Sequence, residues 1–217
     1  MSRAPYLIGI TGPSGAGKSY LADHLAQRLH APVLALDRYY RDLSEMSPAE
    51  RARTNFDEPA AIEDELLISD IQRLRRGESI AAPLYDFSQH VRQGGKEMFH
   101  PAEFVILEGL LTLHWSRLRE LLDSAIYVDA PDDLCLQRRL ERDVRDRGRS
   151  PESVKQQFYD TVLPMAERHV RPSLVHAHIV VSGTTSVSAS IDRVMQHLKD
   201  QRSRTSYLAT SHNISFR

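Results

Sequence analysis

A single cysteine, Cys135, stands in the 217-residue chain. That excludes an internal disulfide and a cysteine-based zinc cluster, and it fits a reducing compartment. Within Leu134-Cys135-Leu136 a packed thiol is expected rather than a nucleophile. Net charge is nearly absent as well. Lys+Arg 28 against Asp+Glu 29 leaves a formal charge of −1, so no global field draws the chain to nucleic acid or to a membrane surface. Long apolar runs are also missing. The most apolar segment, Phe104 to Leu113, is short and carries Glu108 within it, so no stretch is expected to span a bilayer. Met1-Ser2-Arg3-Ala4-Pro5 leads into an apolar run almost at once, without the pattern of a secretory leader. No internal repeat is visible. These absences predict a cytoplasmic protein with one α/β domain, long enough to bury a sizeable core.

What is present centres on Gly12-Pro13-Ser14-Gly15-Ala16-Gly17-Lys18-Ser19, followed by Tyr20. The apolar run Tyr6-Leu7-Ile8-Gly9-Ile10 precedes it, and helical apolar spacing follows. Strand, glycine-rich turn and helix in this spacing form a phosphate-binding P-loop. Glycines let the backbone curl until several N–H groups face one anion, and the helix adds its positive end. Lys18 then reaches the outer phosphates, and the Ser19 hydroxyl can bind the Mg²⁺ that accompanies them.

Along the chain, a helix is predicted from Lys18 to Leu29 and a short buried strand at Val33 to Leu36. Leu43 to Asn55 reads as loop with a short helix. Ala60 to Arg76 reads as one helix, with Ile62, Leu66, Leu67, Ile71 and Leu74 on a common face. Ile80 to Arg92 and Glu97 to His100 suggest a β-hairpin turning at Gly94-Gly95, an insertion over about 79–100. Strands are expected at Phe104 to Leu107, Ala125 to Val128 and His178 to Val181. Helices are expected to Arg147, over Pro151 to Arg171, and over Val187 to Lys199. The alternation implies a parallel sheet covered on both faces, in one domain over 1–199. The polar tail 200–217 reads as flexible or loosely docked.

Three constellations carry chemistry. Glu108 closes an apolar strand, where P-loop proteins keep an acid facing Mg²⁺; a helix cap or a salt bridge is the alternative. Asp37 also stands at a strand's C-terminal end, one strand along from the P-loop, where a carboxylate can take the proton of an acceptor hydroxyl, although a capping role also suits a strand-end Asp. Arg138, Arg142, Arg145 and Arg149 share a helical stripe that would form a lid over polyphosphate within about 132–150. Glu141, Asp143 and Asp146 interleave with them, so a salt-bridged surface helix explains the same run equally well.

Taken in order, these segments resemble the phosphoribulokinase/uridine kinase family over about residues 6–182. The resemblance rests on the P-loop, on Asp37-Arg38-Tyr39-Tyr40, and on Asn55-Phe56-Asp57-Glu58-Pro59. It continues through Pro83-Leu84-Tyr85-Asp86-Phe87-Ser88-Gln89-His90-Val91-Arg92 and Ile106-Leu107-Glu108-Gly109. It closes with Arg138-Arg139-x3-Asp143-x3-Arg147-Gly148-Arg149 and Gln157-Phe158. It implies a P-loop NTPase-type α/β fold with a hairpin insertion and an arginine-rich lid. It also implies transfer of phosphate from ATP or GTP, with Mg²⁺, to the 5′-hydroxyl of uridine or cytidine, in pyrimidine salvage.

By position, the resemblance makes Asp37 the base and puts Tyr40 beside the acceptor. Asp57 and Arg139 would hold ribose hydroxyls, and Tyr85, Phe87 and His90 would frame the pyrimidine. Arg142 and Arg147 would face the phosphates with Lys18, Arg149 and Gln157 would bind nucleoside, and Ser19 and Glu108 would hold the metal. A homo-oligomer, a tetramer in similar kinases, is a further implication.

The chain departs from the family's pattern at Glu58, where His is usual, and at Ala60, where an acid is usual. Glu63 stands for Asp, Val91 for Thr or Ser, and the Arg171-Pro172-Ser173-Leu174 stretch lacks a Thr-Lys pair. These changes bear on the acceptor, for which a sugar phosphate or a pantothenate-like alcohol is the rival. A P-loop switch is a more distant rival: the chain has neither an Asn-Lys-x-Asp motif nor a Leu-Ser-Gly-Gly-Gln motif.

Overall fold

The computed structural model describes residues 4–51 and 53–212, with side chains as far as Ser203. A first strand β1 (Tyr6–Thr11) runs into the glycine loop and helix α1 (Lys18–Leu29), then β2 (Val33–Ala35). The short helix α2 (Pro48–Arg51) and helix α3 (Asp64–Arg75) lead to a hairpin of β3 (Ile80–Asp86) and β4 (Val91–Phe99). Strand β5 (Phe104–Glu108), the single turn α4 (Ser116–Arg119) and β6 (Ser124–Asp129) follow. Helix α5 (Asp132–Arg147) precedes α6 (Pro151–Gln157) and α7 (Leu163–Met165), and β7 (Ile179–Ser182) and α8 (Val187–His212) close the fold.

The main sheet has the order β2-β5-β1-β6-β7, and every pairing in it is parallel. Side chains alternate between its two faces, as the pleat requires. Leu7, Val105, Leu107 and Tyr127 enter one core with Leu67, Ile71 and Leu74 of α3. Ile8, Ile10, Ile106 and Ile126 enter the other with Leu21 and Leu25 of α1 and Val194 and Leu198 of α8. Cys135 lies in that second core as a buried thiol. Parallel strands end at one edge, and β1 lies between β5 and β6, so crossover connections leave from both sides of it. A crevice opens there, the usual ligand position in open α/β sheets.

Three expectations are corrected. The helix predicted from Ala60 begins at Asp64. The backbone before it is used elsewhere: Glu63 N–H donates to the Tyr39 carbonyl at 2.9 Å, and the Ala61 carbonyl accepts from Arg41 N–H at 2.9 Å. Ile62 is therefore extended, though still buried.

The hairpin does not turn at Gly94-Gly95, which lie inside β4. There the register jumps from Pro83↔Lys96 to Leu84↔Gln93, and the two glycines bulge. The turn falls at 87–90, because the Asp86 carboxylate accepts from Ser88 N–H at 2.8 Å, Ser88 Oγ at 2.6 Å and Gln89 N–H at 3.0 Å. His90 completes it with φ 55°.

The stretch after Lys199, expected to be loose, continues α8 as far as His212. Arg202 ties its start down by pairing with Glu103 at 2.7 Å and lying over the Phe104 ring. Residues 213–217 of that predicted tail lie outside the described residues. The helix expected over 151–171 is present, but with π-helical turns at Phe158–Val162 and Ala166–Val170. Pro164 between them has no N–H to give to the ladder, a sufficient cause for the first.

Candidate active site

The glycine loop is shaped by close packing. A Cβ on Gly12, at φ +143°, would lie 2.1 Å from the Val128 carbonyl oxygen, and one on Gly15, at φ +89°, would lie 2.4 Å from that of Cys135. Only glycine fits either position. The loop therefore presses onto β6 and α5. Lys18 is buried at 9% exposure, and its Nζ donates to the Pro13 carbonyl at 3.0 Å. Burial pushes its amine pKa down, while Glu108 and Asp37 pull it back up.

Glu108 ends β5 opposite Ile10 of β1 and Ala35 of β2. Burial raises its carboxyl pKa; Lys18 opposes this, and so does a hydrogen bond from the Ser19 side chain. A shielded carboxylate beside a hydroxyl offers two hard oxygen donors. Mg²⁺ takes few ligands of that kind from a protein and completes its shell with water and phosphate, so the pair fits such an ion. Among the described residues, no three His, Cys, Asp or Glu side chains form a cage of their own.

Asp37 sits in a 3₁₀ turn, Leu36–Tyr39, directly after β2. Burial raises its carboxyl pKa first of all; Lys18, Arg147 and Arg142 work against the rise, and Asp57 adds to it. Asp57 is held by its backbone N–H on the Asn55 side-chain oxygen at 3.0 Å. Its pKa is raised by burial and opposed chiefly by Arg139. Two carboxylates thus share one recess with several cations.

Five rings line the recess. Tyr40 meets Phe56 at 5.1 Å and Tyr85 at 5.4 Å between centroids, and Tyr85 meets Phe87 at 5.2 Å. His90 stacks on Phe56 at 4.6 Å and 20°. Burial lowers the His90 pKa, and Arg149, Arg147 and Arg51 lower it further against Asp86, which favours the neutral imidazole, a form with one donor and one acceptor nitrogen. The Tyr85 hydroxyl is buried without a hydrogen-bond partner.

The arginine run answers to both readings made of it. Asp143 is fully buried and gathers Arg142 at 2.8 Å, Arg147 at 3.3 Å and Arg139 at 3.7 Å. Arg139 also donates to Ser14 Oγ at 2.6 Å and to Gln157 Oε1 at 3.2 Å, and Arg149 donates to the same Gln157 oxygen at 2.7 Å. Arg145, expected on the inner stripe, points outward and pairs with Asp146. The stripe fails because Asp143 draws in Arg139 and Arg147, four residues to either side. Arg138 is occupied by three carbonyls, those of Gly15, Ala16 and Gly183.

Most of these side chains line one cleft of about 360 Å³. Its lining includes Ser14, Gly15, Gly17, Lys18, Ser19, Tyr20 and Glu108, then Asp37, Tyr40, Asp57, Tyr85, Phe87 and His90, and also Arg139, Arg142, Arg147, Arg149 and Gln157. Gly12, Pro13 and Ala16 do not reach its wall and instead shape the loop beneath. Phe56 belongs to the wall and was not singled out from the sequence, although its place beside Asp57 was a usable signal. A second cavity of about 250 Å³ shares Gly17, Tyr20 and Arg138 with the first and continues past Ser182, Gly183, Thr185 and Ser190. Small polar residues so common gave no sequence signal.

A parallel sheet in this strand order, with a glycine loop, a strand-end acid and an arginine-bearing helix over one cleft, defines a P-loop kinase. The model of the "Phosphoribulokinase / Uridine kinase family" matches residues 7–190, and the chain belongs to that family. It is a phosphotransferase. It is 40% identical over 204 residues to a "Uridine kinase" of Leuconostoc citreum (strain KM20), covering 92% of this chain and 97% of that protein. It is 38% identical over 202 residues to a "Uridine kinase" of Clostridium tetani (strain Massachusetts / E88), with the same coverage of 92% and 97%. Among solved structures, phosphoribulokinase from Rhodobacter spheroides superposes with a TM-score of 0.62 at 16% identity, over 83% of this chain and 71% of that one, a likeness of fold alone.

Proposed function

We propose that the chain transfers the γ-phosphoryl group of ATP or GTP to the 5′-hydroxyl of uridine, and of cytidine, in pyrimidine salvage in the cytoplasm. The observation that carries the acceptor is the recess itself: His90 stacked on Phe56, among aromatic side chains, with Asp57 in the same lining. A flat uncharged base suits aromatic walls, and a neutral imidazole can both donate to and accept from its polar edge. The names of the two relatives point the same way.

In this reading the donor's phosphates lie in the glycine loop, and its purine extends past Tyr20 into the second cavity. Asp57 and Arg139 hold the ribose hydroxyls, Tyr40 supports the sugar, and Tyr85, Phe87 and His90 frame the pyrimidine. Arg149 and Gln157 close over the nucleoside. Asp37 accepts the 5′-hydroxyl proton as that oxygen attacks the γ-phosphorus, and the bond to the β–γ bridging oxygen breaks to release the diphosphate. Lys18, Arg142 and Arg147 offset charge on the oxygens of the transferring group. Ser19 and Glu108 would hold Mg²⁺, which supplies neutralisation of phosphate charge when bound. A homo-oligomer belongs to the same proposal.

The test is an acceptor panel with labelled ATP and GTP: uridine, cytidine, a purine nucleoside and ribulose 5-phosphate. Turnover of the two pyrimidine nucleosides alone is expected. Turnover of ribulose 5-phosphate but not of uridine would overturn the reading.

A further inference from the structure

The mechanism leaves Arg92 of β4, and the acid it meets, without a role. Arg92 Nη1 donates to Glu63 Oε2 at 2.9 Å, Nε donates to the Tyr40 carbonyl at 3.0 Å, and the backbone N–H donates to Asp42 Oδ1 at 3.0 Å. One hairpin residue therefore grips the backbone of Tyr40, three residues beyond Asp37, and the segment that enters α3. Arg92 also lies opposite Tyr85 in the hairpin ladder, two residues from His90.

The ladder alone does not hold this tip. The Gly94-Gly95 bulge interrupts pairing between Pro83 and Leu84, which leaves the end of the hairpin with three residue pairs of its own, Leu84↔Gln93, Tyr85↔Arg92 and Asp86↔Val91. Besides the ring contacts of Tyr85 with Tyr40 and of His90 with Phe56, two other polar ties reach across to the same segment. Arg38 meets Glu97 at 2.6 Å beyond the bulge, but Glu97 is 55% exposed, and a pair so open to solvent is worth little. Arg51 meets the Gln89 carbonyl at 2.7 Å, a bond to a neutral group at an exposed position. The Arg92–Glu63 pair is the shielded one, at 18% and 31% exposure. It is also the tie whose loss leaves most unsatisfied, since Arg92 Nη2 is already buried without a hydrogen-bond partner.

We infer that Arg92, oriented by Glu63, is a positioning residue for the acceptor. It fixes the hairpin tip bearing Tyr85, Phe87 and His90 against the segment bearing Asp37 and Tyr40, and so sets acceptor affinity and base discrimination without touching the acceptor. This rests on the acceptor assignment proposed above. The carboxylate's reach matters, because Glu63 stands where similar kinases carry Asp: the shorter side chain would draw Arg92 back or break the contact.

The experiment compares Glu63→Gln, Glu63→Asp, Arg92→Ala and Arg92→Lys with wild type. Each is read by acceptor KM, donor KM, the preference for uridine over a purine nucleoside, melting temperature, and hydrogen exchange of amides 84–93. Glu63→Gln and Arg92→Ala are expected to raise acceptor KM about tenfold or more, to narrow the base preference and to speed exchange at the tip, with donor KM within about twofold. Arg92→Lys is expected to recover part of each loss. Glu63→Gln serves should Arg92→Ala fail to fold. Equal rises in donor and acceptor KM would mean general loosening and would overturn the inference, as would unchanged acceptor KM with unchanged exchange. Should wild type turn over no nucleoside, the acceptor assignment has failed. Tip exchange then decides the clamp: faster exchange in Glu63→Gln supports it, and unchanged exchange overturns it.

Discussion

Replacement of Asp37 by Asn is expected to lower kcat by about 10²–10⁴-fold while donor affinity stays near wild type, as removal of a general base does. The shape of the carboxylate is kept and its capacity to take a proton is lost. Calorimetric titration with a non-hydrolysable ATP analogue, beside steady-state rates, separates the two effects. The pH profile supplies an independent check. Burial raises the Asp37 pKa and Asp57 adds to it, with Lys18 the main opposing group. A base works only when ionised, so the rate should rise with pH along an acid limb lying above the ordinary aspartate range, and that limb should vanish in Asp37→Asn. Stability should move the other way. A carboxyl whose folded pKa exceeds its unfolded one favours the fold at low pH and costs stability once both states are ionised. Asp37→Asn should therefore melt no lower than wild type at pH 7, and a near-normal kcat in that variant would contradict the role given to Asp37.

The second large effect is expected from Lys18→Ala, a loss of about 10²–10³-fold in kcat, the scale for removing one preorganised group from a developing charge. The lysine is buried with its amine on the Pro13 carbonyl, so its position is set by the loop. Its removal also reaches its neighbours. Lys18 is the largest influence opposing the raised pKa of both Asp37 and Glu108. Without it both carboxyls should hold their protons to still higher pH, and the acid limb of the residual activity should move upward. Residual rates measured across pH 5 to 9 test this, and a limb that stays in place would separate Lys18 from the base.

Much of this cleft was legible in the sequence because its parts are tied to local rules. The glycine loop announces itself by spacing, and Gly12 and Gly15 are required by contacts that admit no Cβ. Glu108 stands out as a carboxylate closing an apolar strand, and the parallel sheet follows from apolar runs separated by helices. Competition between local signals hid the rest. Gly94-Gly95 reads as a turn, yet Asp86 captures three donors and moves the turn to 87–90. The helical pattern from Ala60 holds for Leu67, Ile71 and Leu74, whereas Leu66 is exposed, and the backbone at Ala61 and Glu63 is spent on the segment after Asp37. Arg145 shares a helical stripe with Arg142, and only the burial of Asp143 decides which arginines turn inward. The second cavity and the Arg92–Glu63 tie depend on long-range packing, for which no residue pattern stands proxy.

The P-loop by itself places only a polyphosphate; in the proposed reading the neighbouring recess specifies what receives the phosphate. The most direct test is the identity of the product. Purified protein with uridine, ATP and Mg²⁺ should yield ADP and uridine phosphorylated at its 5′-oxygen, one for one, as read by phosphorus NMR. Phosphate on the 2′- or 3′-oxygen, or ADP released with no phosphorylated nucleoside, would contradict a cleft that brings the 5′-hydroxyl to Asp37.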